Sequence, residues 1–132
     1  MQQPATINPY LRNQVLSASP EQLRLMLYDG ALRFMRSGRK GLAEKNYDVS
    51  YTNLSKAQKI ALELSSSLKH DQMPELCEKL SALYTYIYRL LIDANMQRQP
   101  ETVDEAIKLL EFERETWVLM MEQNAATASG AA

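Results

Sequence analysis

Four stretches of this chain carry apolar residues, with glycine at two positions of the first, at steps of three, four or seven, and only a few residues separate one stretch from the next. Residues three and four apart stack on one face of an α-helix, so each stretch predicts a helix buried along one side. Leu23, Leu27, Gly30, Phe34 and Gly41 mark the first, widened by Leu25, Met26, Ala31, Leu32 and Met35. Leu54, Ala57, Ala61, Leu64 and Leu68 mark the second, and Leu76, Leu80, Leu83, Ile87, Leu90 and Ala94 the third. In the fourth, Val103, Ile107, Leu110, Trp117 and Met121 share a face that Arg114 interrupts.

The boundaries follow from capping chemistry. Ser19, Pro20 and Gln22 form a capping box with proline at the first helical position, so the first helix is expected from Ser19 to about Glu44–Asn46. The second is expected from Tyr47 or Asp48 to Lys69, and the third from Pro74 to Met96. Pro100 and a Thr102-x-x-Glu105 box open the fourth, which is expected to end near Glu122. Helices of ~22 residues are ~33 Å long, and short links force neighbours antiparallel. The fold class that follows is all-α: an antiparallel up-down four-helix bundle over residues 19–122. Residues 1–18, punctuated by Pro4 and Pro9, read as an irregular arm with a short helix around Tyr10 to Leu16. Residues 123–132, mostly Ala, Ser, Thr and Gly, read as a flexible tail.

Composition narrows the function. A chain of 132 residues is one domain. With 15 Lys and Arg against 16 Asp and Glu, it lacks the basic excess that nucleic acid or an anionic membrane demands of a main partner. One Cys and one His allow neither an internal disulfide nor a Cys/His metal cluster. The longest uncharged apolar stretch inside an expected helix, Ser81 to Tyr88, is far short of the ~20 residues that span a bilayer, and Met1 to Leu16 carries no signal-like apolar run, so a cytoplasmic location is expected. Catalytic chemistry finds little footing. His70 stands beside Asp71 in a loop with no nucleophile arranged around it, and a small helical enzyme built on that pair has no pocket motif behind it. Cys77 reads as an inert core thiol. No Glu-x-x-His pair, phosphate loop or cofactor fingerprint occurs. Neither a metal nor a cofactor is expected.

What remains is apolar surface that the seams do not use. Leu62 points ~125° from the seam of the second helix, with Tyr51 and Gln58 on the same side. On the third, Tyr84, Tyr88 and Leu91 flank the seam and Ile92 points nearly opposite to it. On the fourth, Phe112 points ~160° away, with Leu109, Leu119 and Met120 to either side. Surplus apolar faces of this kind mark partner surfaces. They fit an amphipathic helix of a partner, or a second copy packed through Phe112, Leu119 and Met120.

The arm Ile7-Asn8-Pro9-Tyr10, the run from Val15 to Leu23 and the block Leu25-Met26-Leu27-Tyr28-Asp29-Gly30-Ala31 resemble the opening of the FliS family, export chaperones for flagellin. Lys56-Ala57-Gln58, Leu83-Tyr84 with Tyr86, Ala94-Asn95 and Arg114-Glu115-Thr116-Trp117 resemble its later helices, so the resemblance spans about residues 7–122. It implies a cytoplasmic bundle that binds the C-terminal segment of newly made flagellin, prevents its early polymerisation and hands it to the type III export gate, with no enzymatic activity. The candidate cargo residues are then Tyr51, Leu62, Tyr84, Tyr88, Leu91, Ile92, Leu109 and Phe112. The resemblance also implies that the arm, through Ile7 and Tyr10, covers part of the cargo groove and helps dock on the gate protein FlhA. Phe112 departs from the family, whose members tend to be polar there. A weak homodimer is the further expectation.

Overall fold

The computed structural model describes residues 8–69 and 71–130, with side chains as far as Thr127. The described residues form five α-helices and no strand: α1 (Pro9–Ser17), α2 (Pro20–Ala43), α3 (Tyr47–Ser66), α4 (Pro74–Gln97) and α5 (Pro100–Gly130). Among them no helix is long and apolar enough to cross a membrane. α2 packs on α3 and α5, and α4 packs on the same two, so α3 and α5 lie across the core from one another. Tyr28, Met35, Leu54, Leu64, Ile87, Leu91, Val103 and Leu110 fill that core.

The start of α2 follows its sequence signature. Gln22 N–H donates to Ser19 Oγ at 3.2 Å while Ser19 N–H donates to Gln22 Oε1 at 2.9 Å, so two backbone donors that the first turn leaves unpaired are satisfied. α2 ends where Lys45 takes a left-handed conformation (φ 58°), and Asn46 then accepts from Val49 N–H to begin α3. Arg98 (φ 54°) closes α4 in the same way, and its guanidinium carbon lies 3.9 Å from the centre of the Tyr47 ring.

Two glycines set the distance between α2 and α3. A Cβ on Gly38 would lie 2.5 Å from Leu54 Cδ2, and one on Gly41 would lie 2.8 Å from the backbone nitrogen of Ser50. The residues that weaken α2 as an isolated helix therefore let α3 sit against its backbone.

Three expectations need correction. Thr102 does not cap the last helix. α5 already starts at Pro100, whose fixed φ suits the first helical position, so Thr102 lies inside the first turn. Glu105, expected to complete the box, instead accepts from Tyr86 Oη at 2.6 Å. α5 also runs past Glu122 to Gly130. Ala is the strongest helix former, so Ala125 and Ala126 favour continuing the helix although residues 122–127 are all exposed. Finally, the described part of the arm, residues 8–18, does not lie on a groove. Asn8 Oδ1 accepts from Tyr10 N–H at 2.9 Å, the following residues close into α1, and no residue of that helix is buried. Tyr10 is 70% exposed. Ile7 and His70 lie outside the described residues.

Candidate partner-binding surface

The eight cargo residues expected from the sequence separate into three groups. The first is defined by Ser65 on α3 and Ser81 on α4, whose hydroxyls are 3.1 Å apart and mark the facing sides of the two helices. Steps of seven residues, close to two turns, stay on one side of a helix. Back from Ser65 they reach Gln58 and Tyr51, and forward from Ser81 they reach Tyr88 and Asn95. Leu62 sits one turn from Gln58, and Ile92 one turn from Tyr88. Tyr51 is exposed, Leu62 is 53% exposed, and Tyr88 and Ile92 are half-buried. By this register Tyr51 and Leu62 lie on the α3 side of the groove between α3 and α4, and Tyr88 and Ile92 on its α4 side. Ile92, expected to point nearly opposite to the seam, is nonetheless half-buried.

The second group, Tyr84 and Leu91, belongs to the core and is unavailable to a partner in this conformation. Both flank the third seam in sequence. α4 packs on two neighbours at once, so it buries an arc wider than a single line of apolar residues. The third group is on α5. Leu109 is half-buried against the core, while Phe112 is 71% exposed and on a helix that lies across the core from α3.

A polar cluster that the sequence reading did not single out ties the helices together at one end. Arg24 donates from Nη2 to Tyr84 Oη at 2.7 Å, from Nε to Tyr28 Oη at 3.1 Å and from Nη1 to Ser67 Oγ at 3.1 Å. The Tyr28 and Tyr84 hydroxyls are 2.9 Å apart. The guanidinium carbon lies 5.4–5.6 Å from the ring centres of Tyr28, Tyr84 and Trp117, within cation–π range. Trp117 Nε1–H donates to Glu21 O at 3.1 Å. Burial pushes both phenols above the usual tyrosine range, so they stay neutral at any physiological pH. Burial also raises the Glu113 carboxyl, with the Arg24 charge pulling the other way. The signal available in the sequence was Arg24 standing between Leu23 and Leu25, one turn before Tyr28.

Beside this cluster opens a cleft of ≈500 Å³ lined chiefly by apolar side chains, among them Leu23, Leu27, Leu68, Leu76, Leu80 and Trp117. Arg114, which interrupts the fourth seam, pairs with Asp29 across the α2–α5 contact. Cys77 is buried, with its thiol directed at Lys69 O, 3.3 Å away. Among the described residues no three His, Cys, Asp or Glu side chains gather as metal ligands.

The sequence model of a family described as flagellar protein FliS matches residues 1–124, a span that contains the groove, the cleft and the Arg24 cluster. A flagellar secretion chaperone FliS of Bacillus subtilis is 34% identical over 113 residues, covering 83% of this chain and 84% of that protein. Flagellar secretion chaperones FliS of Escherichia coli and Campylobacter jejuni are 32% and 29% identical, covering 81% and 89% of this chain and 79% and 91% of their own lengths. The match runs through every helix that builds these surfaces, and the chain belongs to the FliS family of flagellar proteins.

Proposed function

We propose that this protein is a flagellar secretion chaperone whose cargo is the C-terminal segment of flagellin, held in the cytoplasm, kept from polymerising and released to the type III export gate. It works by binding and not by catalysis. The observation that carries the reading is the α3–α4 groove, with Tyr51 and Leu62 on one side and Tyr88 and Ile92 on the other. An antiparallel up-down arrangement of α2 to α5 makes that groove straight and about as long as the helices, which suits an amphipathic helix laid along it. A segment that is unstructured until bound folds in such a groove, and ordering it offsets part of the contact energy, so a long apolar footprint is needed.

The arm has a separate role in this reading. Tyr10, on exposed α1, presents a side chain that the core does not use. It engages the gate protein FlhA together with Ile7 and exchanges with cargo. Tyr84 and Leu91 support the groove from beneath.

Titration calorimetry of the C-terminal segment of flagellin against the intact chain and Leu62→Glu tests the reading. A charge desolvated under an apolar helix is expected to weaken binding by ~2 kcal/mol or more, roughly thirtyfold in Kd. The thermal midpoint should change little, because Leu62 is largely exposed. Unchanged affinity in a normally folded variant would move the cargo off this groove.

A further inference from the structure

The charge of this chain is unevenly placed. Of its 16 acidic and 15 basic residues, α5 (Pro100–Gly130) holds seven acidic and two basic ones. The near-neutral total hides one strongly acidic helix on a remainder that is net positive. Asp104 and Glu111 are taken by Arg39 and Arg36 of α2, and Arg114 is taken by Asp29. Glu101, Glu115 and Glu122 are exposed and make no ion pair among the described residues.

The same outward side of α5 carries large apolar groups. Glu105, Phe112 and Leu119 succeed one another at steps of seven and so share one line along the helix. The bond from Tyr86 to Glu105 places that line at the outer edge of the α4–α5 contact. Phe112 is 71% exposed and Leu119 54%. Glu101, Glu115 and Glu122 stand within a turn of the line. α5 and α3 lie on opposite sides of the core, so this face is separate from the α3–α4 groove.

We propose that the outer face of α5 is a second docking surface, and that it takes a basic amphipathic helix from a partner other than the cargo. Phe112 and Leu119 supply two apolar anchors about two turns apart, the spacing at which a helix laid alongside presents its own apolar stripe. The flanking carboxylates select Lys or Arg beside that stripe and steer its approach. A second copy of this chain is disfavoured as occupant, because pairing α5 with α5 brings two acidic helices together.

The test uses the full chain and two synthetic 18-residue amphipathic helices, one built of Leu and Lys, the other of Leu and Glu. The Leu/Lys peptide is expected to perturb amide resonances of residues 105–123, and its binding should weaken as salt rises. Phe112→Ser with Leu119→Ser should weaken it about tenfold or more, as for two anchors at the centre of an interface. Glu115→Lys with Glu122→Lys, which keeps the apolar anchors, should weaken it comparably, and the same reversal at Asp48 on α3 should leave it unchanged. The Leu/Lys peptide should still bind when the C-terminal segment of flagellin is present in excess. Four results would overturn the proposal: perturbations centred elsewhere, equal binding of the Leu/Glu peptide, indifference to both double variants, or a dimer in sedimentation that Phe112→Ser abolishes. Leu62→Glu reports on the cargo groove alone, so the two surfaces fail independently.

Discussion

Arg24 shows how one side chain can hold several helices at once. Its guanidinium donates to groups on α2 and α4 and to the Leu64 carbonyl of α3, and it lies over an α5 tryptophan. The phenols it meets are neutral, and its charge pulls the Glu113 carboxyl down while burial raises it. Glu113 binds its proton more tightly in the folded state than in the unfolded chain, because burial disfavours the carboxylate. Such a group makes stability fall as pH rises from the unfolded carboxyl value, ~4.3, through the raised folded one, and the loss is complete above it. Glu113→Gln is therefore expected to raise the melting temperature at pH 7, with the gain shrinking to nothing near pH 4. Melts of both proteins from pH 4 to 8 check this. Parallel curves would mean that Glu113 is no worse solvated in the folded state than in the unfolded one.

At the scale of the helices, α2 and α3 fit because glycine leaves room. Alanine at position 41 would gain up to ~1 kcal/mol in helix propensity. Its methyl, however, would sit 2.8 Å from the Ser50 nitrogen and 3.0 Å from the Asn46 carbonyl oxygen, both backbone atoms that no rotamer change can move. The first turn of α3 would have to shift, and overpacking of this kind destabilises by ~1–3 kcal/mol. Gly41→Ala is thus expected to lower stability in urea unfolding despite its better propensity. An increase would show that the α2–α3 link relaxes freely. Gly30 is the contrasting position, since its added Cβ would meet only Ile60 Cδ1, at an ordinary 3.5 Å.

For the whole molecule, the core is complete without α1. That helix buries no residue, and the α2 capping box uses only Ser19 and Gln22. A chain lacking residues 1–16 should keep the cooperative melt of the intact protein, with a change within ~0.5 kcal/mol and a helical signal reduced only by the residues removed. Binding to flagellin or to the export gate should change where folding does not. Loss of the cooperative transition would make the arm part of the core.

The sequence alone determined the all-helical class, the four long helices to within a few residues at most ends and the capped start of α2, because caps and the three-four period are local properties of the chain. It also carried the family, whose signature lies in contiguous blocks such as Leu25 to Ala31. Sorting the eight candidate surface residues required tertiary structure. Tyr84 and Tyr88 are one turn apart on α4 and are much alike in sequence, yet the first is core and the second lies at the groove. How wide an arc a helix buries depends on how many neighbours it has and where they stand, and no periodicity within one helix records that. Arg24 makes the same point. A charged residue in an apolar stretch becomes a tie between helices only when a phenol, a serine and an indole from other parts of the chain join the neighbouring Tyr28 hydroxyl around it.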